Sequence, residues 1–507
     1  MYGGRLLGVE RSSALLFFVC IRRWDWDEIC SAYGVYIFSK PKCEMDVNVR
    51  LWSLVVAGLF VTAGLGSQSA SAQSSVRTMT FDEALQLMLN ENPTLRALHF
   101  EEQAAHRARQ SAIGLFMPRV NLRGGYLHMN KDIAIGFDGS LGSVLGFDLS
   151  YTLQRRNVAF LGGDVTLPLF TGGKILAANR AAAVEERLVG IAARRQRDAL
   201  MTELARCYFG YSFAQAVVGV RRMVVAGVRR HLCDVQALER NGMASRSERL
   251  YVEYKLAEAE RQAEDAELIL RTTASALRTT LGVGEGDVLP LTPIFTLERL
   301  ESLDHYRELA LAHNALLGEV GAQRDLARQN LNAKRAEFMP EIVAMGSATL
   351  WEHQFSDMLP RWAVGVGVQL KLFDGLRREY AYSAARNTVR RVEMLQVKAE
   401  QEVPLLVESI YNRLVNLHNR IRAIEQAVAF ADEYLRSCRV GFAEGVVTST
   451  QVVDAELDLA RVRVERMEAA FGFDVALAEL LEAAGVAEDF PSYVRSGEAH
   501  AVNYNLQ

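Results

Sequence analysis

Only six cysteines occur among the 507 residues, and they fall into two groups. Cys20, Cys30 and Cys43 precede residue 45, whereas Cys207, Cys233 and Cys438 are scattered over the remainder, too few and too far apart for a disulfide framework. Apolar runs are as scarce. Beyond Leu51 to Leu65, no stretch approaches the ~20 apolar residues that a membrane-spanning helix needs. A formal net charge of −4 supplies no basic surplus for a nucleic-acid partner. Metal-ligand spacing is missing too. His99 and His106 share a helix face but read as surface positions beside Glu101 and Glu102, and His231, Cys233 and Asp234 lack a spacing suited to a helix. "LPLFTGGKI" glances at a phosphate loop, yet Pro168 stands where the first Gly belongs and Ile175 replaces Ser or Thr. "GVGEGD" (282–287) reads as a Gly-rich linker. No constellation argues for catalysis, so neither an enzyme nor a cofactor is expected.

The segment from Met45, "MDVNVRLWSLVVAGLFVTAGLGSQSASAQ", has the form of a secretory signal peptide. Arg50 supplies the positive region, Leu51 to Leu65 the apolar core, and Ala70-Ser71-Ala72 the small-residue cleavage site, giving residues 45–72 as the signal. No cysteine follows that site, so lipidation there is not supported. Residues 1–44 read as a mis-called start rather than a domain, with a membrane anchor as the alternative.

The remainder repeats itself. "FMPRVNLRGGY" (116–126) matches "FMPEIVAMGSA" (338–348) at an offset of 222, which also sets Asn92 against Asn314. Past the strands the offset becomes 203, pairing Phe170 with Phe373, Gly242 with Gly445 and Gly282 with Gly485. The change of 19 residues is confined between Pro118 and Phe170, as expected of a surface loop. Two units follow, 73–285 and 303–487, joined by a linker at 286–302 and followed by a tail at 488–507.

Proline punctuates these units sparingly. None lies between Phe170 and Pro290, and only Pro404 between Arg361 and Phe490. Those spans are rich in Ala, Leu, Arg, Glu and Val and predict long helices, each broken once by a turn at Gly242 or Gly445. Ser or Thr after each Gly is placed to cap the next helix. A helix of about 65 residues runs roughly 100 Å, and a return helix of about 38 follows. Such lengths suit a coiled-coil tube or stalk. Pro404 should bend or loosen the second long helix.

Before each long helix lie two segments of period two, starting at Pro118 and Pro340 and ending at Phe170 and Phe373. In "WAVGVGVQLKLF" (362–373) Val364, Val366, Val368, Leu370 and Leu372 share one face. The partner strand starting at Pro340 alternates less cleanly, with Val343 and Met345 on the polar side. Strands apolar on one face and polar or small on the other fit a transmembrane barrel with a wet lumen, and fit equally a sheet on a soluble core. Four strands cannot close alone, so a barrel requires several protomers.

One signal peptide followed by two copies of helix, strand pair, long helix, Gly turn and return helix resembles the TolC family of outer-membrane efflux proteins over about residues 78–487. The most specific stretches are "TFDEALQLMLNENPTLRA", the paired "FMP" strand starts, "LPLFTGGK", "KLFDGLRR" and the two Gly turns. The resemblance implies a mainly α fold with a small β part. In it three protomers contribute four strands each to a 12-stranded barrel in outer-membrane lipid, and long coiled helices form a periplasmic tunnel. Gly172, Gly173 and Gly375 would carry the strand-to-helix change. Gly242 and Gly445 would sit at a periplasmic tip docking a periplasmic adaptor and an inner-membrane pump of the resistance-nodulation-division or ABC type. The family's paired tip aspartates fall on Gln451 and Asp454, so only one carboxylate is kept, and Glu248 is the first-unit counterpart of Gln451. Small-molecule efflux is the implied role, with a type I protein secretion outlet or a periplasmic coiled-coil scaffold as alternatives.

Overall fold

The computed structural model describes residues 77–136, 150–284, 288–354, 360–496 and 499–501. The expected extension at 1–44 and signal at 45–72 lie outside these residues, as does much of the first strand-to-strand loop.

A short strand β1 (Arg77–Met79) leads into α1 (Phe81–Glu91), which Thr80 starts through a capping box with Glu83. Asn92 then caps α2 (Pro93–Ile113), with Pro93 in the first turn where its missing N–H costs nothing. Strand β2 (Arg119–His128) begins directly after Pro118, the hairpin β3 (Ile133–Gly136) and β4 (Ser150–Gln154) follows, and β5 (Asn157–Phe170) runs into α3 (Lys174–Arg240). α4 (Arg246–Leu281) returns. After β6 (Val288–Pro290) and β7 (Phe295–Leu297) come α5 (Leu303–His313), α6 (Ala315–Ala336), β8 (Glu341–His353), β9 (Trp362–Gln369), α7 (Arg377–Ala443) and α8 (Ser449–Ala484). The chain closes with α9 (Phe490–Arg495) and β10 (Ala499–Ala501). α3 and α7 have 67 residues each, and α4 and α8 have 36 each, close to the expected lengths.

The two halves use the same joints. Asn92 Oδ1 accepts from Thr94 N at 2.8 Å while its Nδ2 donates to the Thr280 carbonyl at 2.8 Å. Asn314 Oδ1 accepts from Leu316 N at 2.9 Å while its Nδ2 donates to the Ala483 carbonyl at 2.8 Å. Each asparagine therefore starts one helix and receives the end of another, satisfying orphan groups at both. Gly282 (φ +76°) and Gly485 (φ +75°) end α4 and α8 against these joints. A Cβ on Gly282 would lie 2.7 Å from the Glu91 carbonyl, and one on Gly485 would strike that of His313, so neither site admits a side chain.

The main core sits midway along the long helices. Phe81, Tyr208, Phe209, Phe295 and Phe490 interlock there, Phe81 and Phe209 stacking at 5.6 Å. Tyr208 donates to the Met79 carbonyl at 2.8 Å and accepts from Thr292 N at 2.9 Å, so its hydroxyl is satisfied although fully buried. Two small pairs brace this belt: β1 with β6, parallel, and β10 with β7, antiparallel. The sequence reading had neither, nor the β3–β4 hairpin; three- to five-residue strands are too short for alternation to show.

The remaining sheet is antiparallel in the order β2-β5-β8-β9. β9 stops at Gln369, four residues before the expected Phe373. The cause is register. Gln369 already faces Glu341, the first residue of β8, so residues 370–373 find no partner strand within the chain. α7 continues through Pro404, which lacks the N–H that would bond the Glu400 carbonyl.

Candidate functional site: open sheet, junctions and helical tip

Register fixes which side chains share a face of the four-stranded sheet, since directly opposed residues point the same way. Val120, Val165, Gly346 and Val364 form one row, and Arg119, Thr166, Met345 and Gly365 the next, on the other face. Further along that second face lie Asn121, Asp164 and Ser347, with Glu341 and Gln369 at the opposite end. Asp164 pairs with Arg123 at 2.8 Å and accepts from Asn121 at 2.8 Å. Val343 and Met345 do belong to this polar face, as their numbers required. The first face is apolar and uncovered: Val120 is 72 % exposed, Val364 77 % and Val368 68 %. A contiguous apolar sheet face in the open marks an interaction surface. Both edge strands, β2 and β9, carry one unpaired side among the described residues. No described helix is long and apolar enough to cross a membrane.

At the first junction Gly172 (φ +61°) and Gly173 (φ +93°) turn β5 into α3. At the second, Gly375 (φ +74°) is followed by Leu376 at φ +65°, a backbone region unfavourable for leucine. Arg378, almost fully buried, holds this turn: its Nε lies 3.0 Å from Asp374, and its guanidinium donates to the Glu337 and Leu372 carbonyls at 3.3 Å. Sequence reading placed the glycines but missed Leu376 and Arg378, which only the closed turn brings into use.

The far ends of the long helices meet at two turns, Gly242 (φ +75°) and Gly445 (φ +78°). Ser245 and Thr448 cap the return helices, and in each case the side chain three residues on, Glu248 or Gln451, folds back onto the cap backbone. Glu248 and Gln451 are thereby occupied as capping residues. Asp454, one turn further, is exposed and accepts from the Tyr251 hydroxyl at 3.2 Å, tying α8 to α4. A second tie escaped the sequence reading. His231 of α3 lies 2.7 Å from Ser449 Oγ and packs edge-on to Phe442 at 4.7 Å. Burial holds the imidazole below its usual range, against a pull upward from Asp234. The Glu456 carboxylate lies over Gly227, where a Cβ would have to displace it, and pairs with Arg439 at 2.6 Å. Partners 218 residues apart leave no local signal.

An open four-stranded ribbon continuous with helices of 67 residues is the framework of a class of bacterial outer-membrane channels. The family described as outer membrane efflux protein (OEP) matches residues 84–283 and 306–486, and the chain belongs to that family. It is 23% identical over 450 residues to the outer membrane protein TolC of Vibrio cholerae, covering 84% of this chain and 94% of that one. It is 25% identical over 311 residues to the alkaline protease secretion protein AprF of Pseudomonas aeruginosa, covering 58% of this chain and 63% of AprF, less than two thirds of that protein's length. Among solved structures, the outer membrane protein VceC of Vibrio cholerae superposes with a TM-score of 0.66 at 17% identity, covering 80% of this chain and 96% of that one.

Proposed function

We propose that the chain is the outer-membrane outlet of a tripartite export system, a homotrimer in which three four-stranded ribbons close one 12-stranded barrel. The observation that carries this reading is the sheet itself, apolar and exposed on one face, polar on the other, and open at both edges. In lipid an open edge leaves backbone groups unsatisfied at several kcal/mol each, so identical copies must join β2 to β9 around a ring. The helices support the same count of neighbours. α6 packs between α3 and α7 and buries Val320, Ala322, Ala327 and Ala336. Its counterpart α2 packs along α3, buries nothing, and leaves Phe100 66 % exposed. A neighbouring copy's α7 fills the vacant place. Two repeats, 73–285 and 303–487, then give the wall its even spacing.

In this reading α3, α4, α7 and α8 form a tunnel in the periplasm, with the Gly242 and Gly445 turns at its tip. Asp454 lines the constriction as a ring of one carboxylate per copy, and Gln451 and Glu248 contribute caps rather than a second acidic ring. A periplasmic adaptor and an inner-membrane pump deliver small molecules, and conduction is passive. Deleting the gene should raise sensitivity to antibiotics, dyes and bile salts. Unchanged sensitivity together with unchanged protein export would refute the transport role. The relation to AprF, named for protease secretion, favours a second reading in which the cargo is polypeptide, and loss of an exported protein on deletion with drug sensitivity intact would select it.

A further inference from the structure

We infer that the barrel's inner base carries a cationic collar that favours anionic cargo. The inference rests on the channel reading, which assigns the polar sheet face to the lumen. A crevice of about 370 Å³ opens where the strands meet the helices, lined by Lys174, Glu341, Gln369, Lys371, Asp374 and Arg377 among others. Gln369 and Glu341 are directly opposed on the polar face, so the crevice belongs to that side of the wall.

Its charges do not cancel. Each nearby carboxylate has a cation of its own: Glu341 with Lys174 at 3.8 Å, Glu337 with Lys334 at 2.9 Å, Asp374 with Arg378 at 3.0 Å and, higher on the face, Asp164 with Arg123 at 2.8 Å. Arg119, Lys371 and Arg377 form no ion pair among the described residues, and all three are exposed. Glu379, in the first turn of α7, does not line the crevice. Lys371 and Arg377 belong to the second unit and Arg119 to the first; offset by 203, the first unit has Pro168 for Lys371 but keeps a cation, Lys174, for Arg377. Closure of the ring repeats the unpaired cations once per copy around a narrow, low-dielectric wall, which concentrates field lines on the axis. Solutes bearing carboxylate, sulfonate or phosphate groups gain there, at the opposite end from the Asp454 carboxylates.

The test is the zero-current potential across a planar bilayer holding the purified trimer under a KCl gradient, for wild type and for Arg119→Gln/Lys371→Gln/Arg377→Gln. The chloride-to-potassium permeability ratio should fall by about twofold or more near 0.1 M salt, where the Debye length is ~10 Å, and the difference should vanish near 1 M, where it is ~3 Å. Lys371→Glu alone, a single exposed substitution, should move the ratio the same way. An unchanged ratio at low salt overturns the collar while leaving the channel standing, and so does a change equal at both salt concentrations, which reports altered width. A wild-type trimer that conducts nothing removes the channel reading and the collar together.

Discussion

Replacing Asp198 by Asn should stabilise the protein at neutral pH and leave its acid stability nearly unchanged. Asp198 lies on α3, is 4 % exposed, and its side chain makes no hydrogen bond among the described residues. Burial pushes its carboxyl up to about 6; Arg194 opposes the rise, and Glu488 and Glu482 add to it. Unfolded, the same group ionises near ~3.9. The folded value is the higher of the two, so the contribution to stability is complete below about pH 4 and is lost as pH rises through about 6. At roughly 1.4 kcal/mol per pH unit, the loss reaches up to ~3 kcal/mol by neutrality. Asparagine keeps the shape and cannot ionise. Thermal unfolding of the detergent-solubilised protein, followed by fluorescence from pH 4 to pH 8, should show a Tm gap that opens in favour of the variant as pH rises and reaches a few degrees. A gap independent of pH, or a wild type more stable at pH 8, would refute the argument that this carboxyl is buried without adequate compensation.

The tip offers two further checks. Tyr251→Phe removes the bond to Asp454, a charged hydrogen bond worth ~1.5–3 kcal/mol before solvent screening of an exposed pair, and should raise the open probability of single channels in bilayers if the α4–α8 tie holds the tip closed; unaltered gating would show that the tie does not. His231 is held neutral by burial, so the α3–α8 joint is strongest above the ordinary histidine value of about 6.5 and weakens as pH falls below it. His231→Gln should abolish that acid dependence in amide exchange of the Ser449 turn, and persistence of the full dependence would sink the assignment. Asn314→Ala takes away one helix cap and one acceptor's partner, costing about 1–2 kcal/mol in unfolding experiments, and Asn92→Ala should cost a similar amount; a null effect at both would mean the joints are not structural.

Much of this architecture could be read from the chain because it rests on local periodicity and on residues with special backbone needs. Proline-free Ala- and Leu-rich spans gave the long helices, and every glycine singled out at a turn or junction adopts positive φ. Pro118 and Pro340 each stand immediately before the first residue of a strand, one position ahead of the observed starts at Arg119 and Glu341. What stayed hidden depends on contact between distant segments. The short β1–β6 and β7–β10 pairs brace the core through a few bonds each, and their strands are too brief to carry a pattern. His231 shows no role until α8 brings Ser449 to it, and Arg378 reads as one more helix arginine until the Leu376 turn closes over it. The capping use of Glu248 and Gln451 was legible in principle, since Ser or Thr followed three residues later by Glu or Gln is the capping-box pattern.

Closure of the open ribbon by identical copies is the claim on which the rest depends. The direct measurement is the mass of the complex extracted from outer membranes in mild detergent, determined by native mass spectrometry. Three chains per particle is the expected result. A single chain that remains monodisperse in buffer after the detergent is withdrawn would contradict it.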